Sequence, residues 1–222
     1  MKTKQAGFTL VEIAIVLVII GLLLGGILKG QEMIVQAKVK NSITDFSGIS
    51  AAYFGYQDRY RAIPGDDAGA GRWTTPTAAT PGNGDRVLTG LYVPATPATD
   101  ETGLWWDHLR RSGFVTGSGT GTPQNSFAGT IGVQQGDGTG VGATAPAAVL
   151  GGFTNLIMCS SNLPDKVAIA LDVQMDDGNP IAGAVRATDD AGQAPPVSTA
   201  AAMSTSGYVE TGTKIYTLCR QF

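Results

Sequence analysis

Chemistry-bearing residues are scarce in this chain of 222 residues: it has one histidine, two cysteines and only 15% charged side chains. With His108 alone and no cysteine beyond Cys159 and Cys219, no histidine–cysteine zinc set can be assembled. A Ser–His–Asp arrangement would have to use His108, and no Gly-x-Ser-x-Gly elbow accompanies it. A Walker loop and a dinucleotide fingerprint are both missing, and the glycine-rich runs lack the strand–Gly–helix context of a phosphate cradle. The net charge of −3 argues against a broad basic surface for nucleic acid. Nothing here reads as an enzyme, and His108 reads as a helix-surface or satisfied core histidine.

What the chain does have is one long apolar run. Residues 8–28 are apolar apart from Thr9 and Glu12, and at about 1.5 Å per residue they can cross a hydrocarbon core of roughly 30 Å as a helix. A carboxylate inside that core costs about 2.5–3.5 kcal/mol on insertion scales, so Glu12 requires a partner. Lys2 and Lys4 precede the run, and no Ala-x-Ala-like cleavage site of a secretory signal follows it. Positive residues before a span favour the cytoplasmic side, although Lys29, Lys38 and Lys40 after it weaken the asymmetry.

The basic leader ending at Gly7, then Phe8-Thr9-Leu10-Val11-Glu12 opening the apolar run, resembles the class III leader of type IV pilins and type II secretion pseudopilins. The resemblance implies cleavage after Gly7 by a prepilin peptidase and N-methylation of Phe8 as the new amino terminus. It also implies that the Phe8 amine partners Glu12 of a neighbouring subunit, a pairing that low dielectric strengthens. Implied partners are other pilin subunits and an inner-membrane platform with its ATPase. The implied location is the bacterial inner membrane with a periplasmic head, followed by a pilus or pseudopilus. Relatives often carry a helix-bending proline near the end of the anchor, where this chain has Lys29.

Beyond the anchor, Val35, Val39, Ile43, Phe46, Ile49, Tyr53, Tyr56 and Tyr60 recur at gaps of three or four, one stripe of an amphipathic helix. Ile63-Pro64-Gly65 then predicts its end. The expected organisation is a leader 1–7, a transmembrane and assembly segment 8–30, an amphipathic half-helix 31–60 and a head 61–222. Within the head, 61–163 is rich in Gly, Thr, Ala and Pro and reads as long surface loops with few core contacts. One helix, over 100–112, interrupts it, with Trp105 and Trp106 in the core and Gly113 as its stop. Over 164–222 an antiparallel sheet is expected. Val167, Ile169, Leu171, Val173 and Met175 alternate as a strand, 176–180 turns, 181–187 returns, and 214–220 forms a last strand. The fold class is α+β: a long N-terminal helix on a small antiparallel sheet, as in the pilin fold.

Further segments resemble a group of pilin-like proteins with no assigned chemistry. They are Tyr60–Asp67, Gly82-Asn83-Gly84-Asp85, Glu101 with Trp106-Asp107-His108-Leu109, and Asp176-Asp177-Gly178. Asp66, Asp67, Asn83 and Asp85 could supply oxygens to calcium, as could Asp172, Asp176, Asp177 and Asn179, or both sets could simply make turns. In an oxidising compartment Cys159 and Cys219 read as a disulfide, with two buried thiols as the alternative. The functional expectation is a structural filament subunit. The alternative is a low-abundance minor pilin that binds or adheres through a loop-rich head.

Overall fold

The computed structural model describes residues 9–136, 153–189 and 207–222. Two units divide the chain, residues 1–38 and 39–222, and helix α1 (Leu10–Tyr60) contributes to both. In the first unit the apolar side chains find no cover among the described residues: Leu10 is 86% exposed and Ile20 47%. Helical backbone continues through Gly21, Gly25, Gly26 and Gly30, despite a cost of about 1 kcal/mol per glycine relative to alanine. Mean hydropathy in its most apolar 18-residue window reaches 2.8, and by length and composition this helix can cross a membrane.

Of the stripe foreseen from sequence, Val39, Phe46, Ile49, Tyr53 and Tyr56 are buried, Ile43 and Tyr60 are partly buried, and Val35 is 41% exposed. In the second unit these buried residues of α1, with Ala52, join the main core. Strands β1 (Ile131–Gln135), β2 (Leu156–Pro164), β3 (Val185–Asp189) and β4 (Ile215–Gln221) form one antiparallel sheet in the order β1-β2-β4-β3. Leu156 and Met158 of β2, with Tyr216 and Leu218 of β4, belong to the α1-side core; Ile157, Cys159 and Cys219 join Tyr92 and Phe153 in a second cluster. That period of two gives the sheet two apolar faces. The long-helix-on-sheet α+β architecture is therefore the observed one.

Helix α2 (Glu101–Arg111) lies where the sequence placed it, with Trp105 and Trp106 fully buried. Gly113, at φ +81°, stops it: its N–H reaches the Arg110 carbonyl, and the Phe114 N–H reaches Leu109 at 3.0 Å. Those two bonds make a Schellman cap, which needs the left-handed conformation that glycine adopts without strain.

Two expectations fail. Residues 167–175 are not a strand but lie in helix α3 (Asp165–Met175), introduced by Pro164. The apparent alternation counted Ala168 and Ala170 as polar, yet alanine is the strongest helix former. Burial follows the helix: Val167, Ala168, Leu171 and Asp172 are inside, while Val173 is 60% exposed. Of the strand expected at 181–187, only 185–187 fall in β3, 181–184 being turn and bend, and β3 pairs with β4 rather than with 167–175. The second failure is the stretch 61–163, which is not mere surface loop. It supplies β1 and most of β2, and it buries Leu88 and Tyr92. The strand expected at 214–220 is β4. Residues 137–152, including most of one near-repetitive glycine segment, lie outside the described residues.

Candidate assembly segment and head junction

At the start of α1 the backbone N–H groups of the first turn have no helical acceptors. Thr9 stands at the N-cap position: its carbonyl accepts from the Ile13 N–H at 3.4 Å, and its Oγ1 accepts from the Glu12 N–H at 3.3 Å. Glu12 reaches back, its Oε2 accepting from the Thr9 N–H at 2.8 Å and from the Thr9 hydroxyl at 2.7 Å. This reciprocal Thr-x-x-Glu arrangement is a capping box. Sequence reasoning assigned Glu12 to an intersubunit pair and missed this partner, although the Thr9-Leu10-Val11-Glu12 spacing already signalled it. Gly7 and Phe8 lie outside the described residues.

In the head, short segments scattered over 56–109 converge on one junction. Asp66 and Asp67, both buried, turn in opposite directions. The Asp66 carboxylate accepts from the backbone N–H groups of Gly84 (2.6 Å), Asp85 (3.1 Å) and Arg86 (2.8 Å) and so closes the 83–86 loop. Burial pushes its pKa up, with Glu101 and Asp85 adding to the rise, and these outweigh the N–H bonds that favour the carboxylate. Asp67 accepts from the Tyr56 hydroxyl at 2.6 Å, the Gly69 N–H at 2.8 Å and the Arg72 guanidinium at 2.7 Å. Burial would raise its pKa, but those three donors more than offset burial and hold it low.

Helix α2 supplies the other half. Glu101 accepts from the Asn83 N–H at 3.1 Å and from the Thr89 N–H at 2.9 Å. His108, fully buried, accepts at Nδ1 from the Gly65 N–H (2.9 Å), which leaves Nε2 as the donor to the Thr80 carbonyl (2.9 Å). That pair of bonds fits the neutral imidazole with its proton on Nε2. Burial pushes the His108 pKa down, so neutral is also the favoured charge state. Every residue in this junction with a perturbed pKa is thereby spent on backbone or side-chain partners. It is a structural clasp.

The residues considered for calcium also take part in hydrogen bonds of their own. The oxygens of Asp66 and Asp67 already accept the bonds above, and Asn83 donates from Nδ2 to Asp85 at 3.0 Å. Asp172, Asp176 and Asp177 do approach one another, with ligand atoms all within 4.8 Å. Their oxygens too have donors: Tyr208 hydroxyl on Asp172 (2.7 Å), Val185 N–H on Asp176 (2.9 Å) and Asn179 N–H on Asp177 (2.9 Å). Burial raises the Asp172 pKa.

Cys159 and Cys219 are direct partners across β2 and β4 and form a disulfide, on the sheet face opposite α1.

Residues 2–28 match the family model of the prokaryotic N-terminal methylation motif. The chain carries the class III leader signature of type IV pilins and pseudopilins. No curated protein and no solved structure matches the chain significantly. The motif spans the leader and the exposed apolar half of α1, and it implies processing by a prepilin peptidase and assembly with other pilins. With the apolar helix, it supports a membrane-anchored precursor, and it points toward a structural subunit. Outside the motif the head is tied to that signature by continuity of α1 alone.

Proposed function

We propose that this protein is a structural subunit of a type IV pilus or a type II secretion pseudopilus, cut after Gly7 and N-methylated on Phe8. The observation that carries the reading is the methylation motif over residues 2–28, whose described part lies in the stretch of α1 with exposed apolar side chains such as Leu10, Leu17 and Leu22. The segment 8–30 would sit in the inner membrane as a single span with the head in the periplasm. It would then form the filament core, driven by a platform and its ATPase. Glu12 has two successive partners in this scheme. In the lone subunit it completes the Thr9 cap, and in the filament it meets the Phe8 amine of a neighbour. The second partner is charged, so the exchange is favourable where dielectric is low.

The test is intact mass and N-terminal sequencing of the membrane-extracted protein, together with Glu12→Ala. A methylated Phe8 start supports the proposal, and an intact Met1 or a cut beyond Leu28 defeats it. Glu12→Ala should be processed yet fail to enter filaments. Deletion separates the two machines, since loss of secretion names the pseudopilus and loss of motility or adhesion names the pilus. The minor-pilin reading gains support from clefts among the head loops, and it requires a subunit present at far lower abundance than the filament's bulk.

A further inference from the structure

Consecutive arginines at the end of α2 hold two different loops. Arg111 pairs with Asp107 at 2.6 Å and donates from Nη1 to the carbonyls of Thr75 (3.3 Å) and Thr77 (2.7 Å). Arg110 donates from Nη1 to the Gly119 carbonyl at 2.7 Å, with its guanidinium 5.8 Å from the centre of the Trp106 ring. Between the two loops lies a cavity of about 420 Å³, open to solvent and bordered by Thr75, Thr77, Ser118, Arg110 and Arg111. Its size falls in the range of small-molecule sites.

Arg110 is only half satisfied. Its Nε is buried without a hydrogen-bond partner, and among the described residues Nη2 has no acceptor either. Nε and Nη2 together form the edge of a guanidinium that takes a carboxylate or phosphate through two parallel bonds. A buried donor left unpaired is costly, and the carboxylate in reach is already held by Arg111. Burial also pushes the Arg110 pKa down, the mark of a cation short of counter-charge. Among the residues lining the cavity, Arg110 and Arg111 stand against Asp107 alone, leaving one positive charge, and Thr75, Thr77 and Ser118 are hydroxyl-bearing. A Cβ added at Gly117 would sit 3.4 Å from Nε, so the 117–119 loop passes close to that atom. Gly117 has φ +105°, and because Nε is buried, reception of a ligand there requires the 117–119 loop to shift.

We propose that the cavity between the 75–77 and 117–119 loops is a binding site for an oxyanion group, a carboxylate or a phosphoryl, received by the Nε–Nη2 edge of Arg110 and by the Thr75, Thr77 and Ser118 hydroxyls. The site stands on the head alone and does not depend on which filament the subunit serves.

The test uses the full chain in detergent, melted in increasing sodium phosphate or sodium glucuronate, with sodium chloride at matched ionic strength as reference. A saturable rise over chloride is expected, about 2–6 °C at ten times the half-saturating concentration. Arg110→Lys, which keeps the charge and loses the fork, should abolish that rise, and Arg186→Lys on the remote Phe153 ring should retain it. A response to phosphate alone identifies a phosphoryl ligand, and one to glucuronate alone a carboxylate. Should Arg110→Lys fold poorly, the arginine Nε–H resonances of the wild type decide, because one must move in step with the melting rise. Equal rises in chloride, an undiminished rise in Arg110→Lys, or no moving Nε–H resonance would overturn the site.

Discussion

Replacing Asp66 by alanine tests the clasp most directly. The substitution takes the acceptor away from three backbone N–H groups in one loop, those of Gly84, Asp85 and Arg86. A hydrogen bond to a charged acceptor contributes about 1.5–3 kcal/mol, and the lower end applies where water can replace a lost partner. Three such bonds give roughly 4–5 kcal/mol before offsets. Against this stand the carboxylate's own desolvation and its repulsion by Glu101 and Asp85, which raise its pKa. A net loss of about 2–4 kcal/mol remains. For a domain of this size that corresponds to roughly 4–16 °C in Tm. Asp66→Asn should fall between, at about 1–2 kcal/mol, since one oxygen can still serve Gly84 and Asp85 while the amide opposes the Arg86 N–H. The measurement is urea unfolding of the full chain in detergent, followed by tryptophan fluorescence, with the slope m checked for constancy. If Asp66→Ala lay within 0.5 kcal/mol of wild type, or Asp66→Asn matched it, the loop would be held by something other than this carboxylate.

Three further outcomes follow from the same geometry. The His108 pKa is depressed in the folded chain, so the unfolded chain binds the proton more readily. Stability should be full above the ordinary histidine value near 6.5 and decline as pH falls below it; that slope over pH 5–7 should be absent in His108→Gln. Removing the disulfide by Cys159→Ala with Cys219→Ala should cost about 4 kcal/mol, because the bridge spans a sequence separation of 60. A loss under 1 kcal/mol in chemical denaturation would show that the bridge does not restrict the unfolded chain as its loop length implies. Finally, Leu171→Ala should cost about 2–5 kcal/mol and Val173→Ala less than about 0.5. Equal costs would contradict α3, since a strand would put both side chains on one face.

How far the sequence could be read depended on the kind of signal each segment carried. Along α1 the stripe from Val39 to Tyr56 is strongly periodic and sustained, so length and gap pattern sufficed. α2 was bounded by Asp100 and by Gly113, residues whose local chemistry is self-contained. α3 misled because alternating alanine is compatible with either period, and only packing against the sheet decides. β1, with Gly132 in its five residues, carries almost no periodic signal. β2 did carry one, the apolar run Leu156–Cys159, but the glycine-rich stretch around it obscured a strand buried on both faces. The junction was half visible. Asp66, Asn83 and Asp85 stood out as oxygen donors in Gly-flanked loops, Glu101 in a segment resembling pilin-like proteins, and His108 as the sole histidine. Their pairing across 18 to 43 positions belongs to tertiary structure and has no local trace.

The strand order β1-β2-β4-β3 has a bearing on how the head is made. β4, latest in the chain among the described strands, lies between β2 and β3 rather than at an edge. Until residues 215–221 arrive, β2 and β3 have no contact through the sheet, and each shows an open edge to any other strand nearby. The sheet cannot be complete before that strand is present, and the same strand brings Cys219 beside Cys159. Non-local closure of this kind is slow. A lag separates synthesis of the anchor from completion of the head, and throughout it the chain is vulnerable to edge pairing and to proteases.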